Sequence, residues 1–81
     1  MTISELDAVV LERDVPAHGL RRGDVGAVVF VHSPEKFEVE FVLVSGSTQA
    51  LVELSSKDVR AIAGDDIPAM RHIERPVGGV A

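Results

Sequence analysis

The chain has 81 residues, 46% of them hydrophobic and 26% charged, with 13 acidic residues against 8 basic ones and a net charge of −5. That length allows one domain, and a domain of this size buries roughly 60% of the surface its unfolded chain exposes, which argues against a large catalytic cleft. No cysteine is present, which excludes a disulfide framework, a thiolate metal site and a cysteine nucleophile; the acidic balance argues against non-specific attraction to phosphate backbones.

The opening Met1-Thr2-Ile3-Ser4-Glu5 lacks the basic region and apolar run of a secretory signal, and no window approaches the roughly 18 apolar residues of a membrane span, so a cytoplasmic protein is expected. Asp7 to Leu11 is a short apolar run bounded by charges and reads as a strand. A long loop follows from Glu12 to Arg22, rich in charge and carrying Pro16 and Gly19. Gly19, Gly23, Asp24 and Gly26 then form a polar turn that runs straight into valines. Glycine reaches backbone conformations closed to other residues, so this stretch predicts a sharp reversal entering a bent strand.

Val25 to His32 is almost uniformly β-branched or small, which predicts a central strand packed on both faces. Ser33-Pro34-Glu35-Lys36 supplies a turn. In Phe37-Glu38-Val39-Glu40-Phe41 the period is two, with the aromatic face inward. Ser45-Gly46-Ser47 reads as a hairpin turn, and Thr48 to Leu54 as a strand with Ala50, Val52 and Leu54 inward and Leu51 outward. Ser55 to Asp58 suits a capped helical turn, and Val59 to Ile62 a last short strand. The expected fold is all-β: a closed small barrel of five strands over residues 1–63, with one helical turn before the last strand. Residues 64–81 form a tail, mobile or loosely docked, whose Ile67, Met70 and Ile73 make an apolar ridge at a spacing of three.

No catalytic constellation is found. Asp24 between two glycines reads as a turn residue accepting backbone hydrogen bonds. His18, His32 and His72 match no metal-ligand spacing, so no metal and no cofactor are expected. Glu38 and Glu40, about 6–7 Å apart on one strand face, lie within the range of glycosidase carboxylates but lack a cleft, and read as a solvated outer face. The expectation is a protein that is not an enzyme.

Asp7-x-Val9-Val10-Leu11, the run Asp14-x-Pro16-x-His18-Gly19-Leu20-x-x-Gly23-Asp24-x-Gly26-x-Val28, the Glu-Val-Glu-Phe strand at 38–41 and Leu54-Ser55-x-x-Asp58-Val59-Arg60 together resemble a family of short bacterial proteins known only as a domain of unknown function. The resemblance covers roughly residues 5–62. It implies an SH3-like barrel and small accessory or antitoxin-like partners of other bacterial proteins, and it supplies no catalytic residue. Gly23-Asp24-Val25-Gly26 is also similar to the KOW motif of ribosomal and transcription-factor barrels, without the dense basic residues usual around it.

Two functions from different classes are therefore expected to compete. The first is a protein-interaction module binding through Arg13, His18, Arg21, Arg22 and Leu51, the strand edges and the tail, with another protein as partner and a homo-oligomer left open. The second is a KOW-like RNA- or ribosome-associated module with Arg13, Arg21, Arg22 and either Lys36 or Arg60 on phosphates. The net charge weighs against the second, and no membrane partner is expected.

Overall fold

Side-chain alternation decides which way each strand faces. The computed structural model describes residues 2–73 and places, in chain order, β1 (Ala8–Leu11), a 3-10 turn (Pro16–His18), β2 (Val25–Ser33), β3 (Lys36–Val42), β4 (Thr48–Ser55) and β5 (Val59–Ala61). Phe37, Val39 and Phe41 of β3 are buried, and the antiparallel register sets them opposite Leu54, Val52 and Ala50 of β4, which are buried too. Val28 of β2 lies opposite Val39, and Val9 and Leu11 of β1 with Val59 of β5 complete the core. Valines and leucines on a period of two thus build one apolar face shared by all five strands.

The strands form one antiparallel sheet in the order β4-β3-β2-β1-β5. The expected all-β class and five strands are present, but hydrogen bonding does not close the cylinder. Among the described residues β4 and β5 are the two edges of the sheet and do not pair with each other. The core is also roofed by Val15 and Leu20, buried residues that form a bridge across the long loop.

Three local expectations need correction. The helical turn sits in the long loop, where Pro16 presets its backbone angle and Gly19, at φ 68°, ends it in the left-handed region. Ser55–Asp58 is a single turn instead: the Asp58 N–H donates to the Ser55 carbonyl, and the Asp58 carboxylate accepts from the Ser55 N–H and hydroxyl. Second, β2 is not packed on both faces. Gly26 and Val28 are buried, but Val25, Val29 and Phe30 are exposed, and the pairing of β2 with β3 shifts register after Val28 and after Val31.

Third, Gly26 is not part of the turn. It lies within β2, opposite Val9, and a Cβ there would come within 2.6 Å of Val39 Cγ1 and 2.9 Å of the Glu40 carbonyl oxygen. Close approach of β2 to β3 requires glycine at this point. Gly19 and Gly23, at φ 68° and 97°, are the residues whose turns need the left-handed region.

Candidate interaction surface

Asp24 organises the junction between the long loop, β2 and the tail. Its carboxylate accepts from the Arg21 N–H at 2.8 Å, closing the turn, as a short acid in such a turn is expected to do. It also accepts two hydrogen bonds from the Arg71 guanidinium, whose Nη2 further donates to the Gly19 carbonyl at 2.8 Å. Burial works to raise the Asp24 pKa, but the Arg71 and Arg21 hydrogen bonds and charges outweigh it and hold the group below the ordinary carboxylate value.

The start of the tail is fixed in the same manner. The Asp66 carboxylate accepts from both terminal guanidinium nitrogens of Arg60 at 2.8 Å and from the Ala63 N–H at 2.7 Å. Arg60 in first place, then that N–H, pull its pKa down to about 2. Polar forks thus tie the start of the tail to the strands, while Ile67 and Met70 of the apolar spacing are 88% and 83% exposed. The remainder of the tail, 74–81, lies outside the described residues.

Between tail and sheet runs an open groove of about 700 Å³. Val25, Val42, Val44, Ile62, Ile67 and Met70, six of the ten large apolar residues exposed among the described residues, line it. Monomeric proteins rarely gather exposed apolar side chains in one place without a use for them. The paired charges Arg60–Asp66 and Arg71–Asp24 sit in the same lining.

The binding residues expected from sequence are scattered about this groove rather than gathered in it. Arg13 Nε is 2.7 Å from Asp58 Oδ1, so its guanidinium ties the long loop to the turn before β5. His18 ends the 3-10 turn, and its carbonyl accepts from the Gln49 amide at 3.3 Å. Arg21 and Arg22 are exposed on the loop, with the Arg22 N–H donating to Asp14. Leu51 faces outward on β4, on the sheet's outer surface. Sequence reasoning missed Arg71, Ile62 and the Val42-Leu43-Val44 run. Only the last carried a signal, an apolar run leading into a hairpin tip that is ordinarily polar.

Among the described residues no three His, Cys, Asp or Glu side chains are grouped to hold a metal ion, and no helix is long and apolar enough to cross a membrane.

Residues 5–61 match the family model described as Domain of unknown function (DUF4926). The chain belongs to this family. No curated protein and no solved structure matches it. The family match spans all five strands and the long loop, including Asp24, but stops before Asp66 and Arg71. The tail wall of the groove is thus outside the part of the chain that the family model describes.

Proposed function

We propose that this DUF4926 protein is a non-catalytic protein-interaction module: an SH3-like barrel that serves a bacterial cytoplasmic protein as an accessory or antitoxin-like partner. The strand order β4-β3-β2-β1-β5, with a long loop between β1 and β2 and a tight turn before β5, supports the barrel reading. The groove carries the functional reading. Its six exposed apolar residues offer a partner segment a surface to bury, and about 25 cal/mol is gained per Å² of apolar area removed from water. Because the ionised groups in its lining are already matched in pairs, the segment that fits is apolar and uncharged where it enters.

The RNA reading loses support from the same geometry. Arg13 is engaged by Asp58, and Arg60 by Asp66 and Glu12. Turning either arginine to a phosphate would leave a carboxylate uncompensated beside it.

Capture of partners from the native bacterium, with the wild type and the double variant Val44→Glu, Met70→Glu as baits, tests the proposal. Both side chains are exposed, so the variant keeps the fold. A protein recovered by the wild type and lost by the variant is the expected result. Equal recovery by both baits, or recovery of nucleic acid alone with binding that falls steeply as salt rises, overturns the proposal.

A further inference from the structure

The outer face of β2, β3 and β4 meets the groove at Val25 and Val42 and, beyond them, carries an arrangement of its own. Register places Phe30 opposite Glu38, and Glu38 opposite Glu53; one row along, Ala27, Glu40 and Leu51 lie side by side. Phe30 and Leu51 are 48% and 53% exposed. Like charges directly opposite each other on antiparallel strands repel, yet Glu38 and Glu53 occupy such positions. Each has one offsetting neighbour: His32 Nε2 is 2.7 Å from Glu38, and Lys36 Nζ is 3.6 Å from Glu53. Glu40 has the Thr48 hydroxyl, a neutral donor, at 2.5 Å. Three carboxylates and two half-exposed apolar side chains thus share a face on which Lys36 is the one lysine or arginine among these pairs.

We infer that this face is a second docking surface, and that its occupant is an extended, basic segment of a partner protein anchored by apolar side chains. The charge of the face selects the occupant. A lysine or arginine brought between Glu38, Glu40 and Glu53 relieves a repulsion that the sheet by itself only partly offsets. Apolar side chains at two separate positions of the segment bury the open sides of Phe30 on β2 and Leu51 on β4. Along a strand, side chains that share a face recur every second residue, about 6–7 Å apart, the spacing of Leu51 and Glu53 on β4. An extended partner with apolar and basic residues at alternate facing positions matches that repeat. A second copy of this chain would bring the same carboxylates and a further net charge of −5 against them, and a nucleic acid would bring phosphates of the same sign. The inference shares with the proposed function the premise that the protein binds other proteins, but uses different residues.

The test is a titration of the full chain, followed by amide chemical shifts, with a capped seven-residue peptide in which Lys and Leu alternate at every second position and Thr fills the others. The expected result is shifts centred on Phe30, Glu38, Glu40 and Leu51. Affinity should fall about tenfold in the isosteric double variant Glu40→Gln, Glu53→Gln, and fall likewise at high salt. A peptide with Glu in place of Lys should not bind. The groove variant Val44→Glu, Met70→Glu should bind the Lys peptide as the wild type does, which separates failure here from failure of the groove. Shifts confined to the groove, unchanged affinity in the Gln variant, or concentration-dependent self-association removed by Leu51→Asp would overturn the inference.

Discussion

Arg71 and Asp24, 47 positions apart, are joined by two near-parallel hydrogen bonds, Nε to Oδ1 at 2.8 Å and Nη2 to Oδ2 at 2.6 Å. A guanidinium matches a carboxylate in this fork, and a single ammonium cannot. Both side chains are more than two-thirds covered, at 27% and 18% exposure. Arg71→Ala is therefore expected to release residues 67–73 from the sheet while costing the domain only about 1 kcal/mol. Backbone amide order parameters should fall along that segment and stay unchanged in β2–β4. Arg71→Lys should restore little of the order. Unchanged order parameters in the alanine variant would mean that something other than this fork holds the tail.

How much of this was legible follows from the range of each interaction. Phe37, Val39 and Phe41 announce their burial because the period is local to the strand, and the same holds for Ala50, Val52 and Leu54. The turn role of Asp24 is legible for the same reason, its partner being three residues away. Arg71 is an ordinary arginine in a proline-containing tail until the fold brings Asp24 beside it. Val25 and Phe30 mislead in the opposite direction: apolar side chains suggest burial, whereas Val25 lines the open groove and Phe30 is half-exposed on the outer face among the described residues. Gly26 looks like a turn residue by its neighbours and is a packing residue by virtue of Val39 and Phe41, which lie on another strand.

Gly26→Ala tests that packing directly. The new Cβ would meet Phe41 Cε2 at 2.8 Å and the Glu40 carbonyl oxygen at 2.9 Å, and the second of these belongs to backbone that cannot swing aside. Overpacking of a core costs about 1–3 kcal/mol. Urea unfolding should show a midpoint lowered by that free energy divided by the slope, with the slope unchanged. Gly23→Ala, whose Cβ would have nothing within 4 Å, should cost less, and should do so through its φ of 97° alone.

Leu6 offers a stabilising change. It adopts φ 73°, the one non-glycine residue with positive φ among the described residues, and its side chain is 86% exposed, so nothing gained by packing offsets the strain. A left-handed conformation costs an L-residue roughly 1–2 kcal/mol, and asparagine tolerates it better than leucine. Leu6→Asn should raise stability by about 0.5–1 kcal/mol, with the hydrogen bond from its N–H to the Val28 carbonyl retained. A lower thermal midpoint would show that the leucine side chain does more than its exposure indicates.

Acid should loosen the tail ahead of the core. Arg13 in first place, with the Ser55 N–H and hydroxyl, lowers the pKa of Asp58; Asp24 is lowered by the bonds described above, and Asp66 is lowered to about 2. A carboxyl whose pKa is depressed by folding contributes stability that is fully present above its unfolded value, about 4, and is lost as pH falls through the folded value. The thermal midpoint should therefore hold steady from pH 7 to about 5 as far as these three groups are concerned. It should then drop between about pH 4 and about pH 2. Two of the three, Asp24 and Asp66, hold residues of the tail or its entry, whereas Asp58 holds the long loop to the turn before β5. Exchange of the hydrogen-bonded Ala63 and Asp66 amides should accordingly rise earlier on acidification than exchange in β3, which no ion pair of this set supports. Asp66→Asn should flatten the acid limb of the midpoint curve and raise tail exchange already at neutral pH. A variant curve that falls in parallel with the wild type would show that the Arg60–Asp66 fork contributes nothing to the acid response.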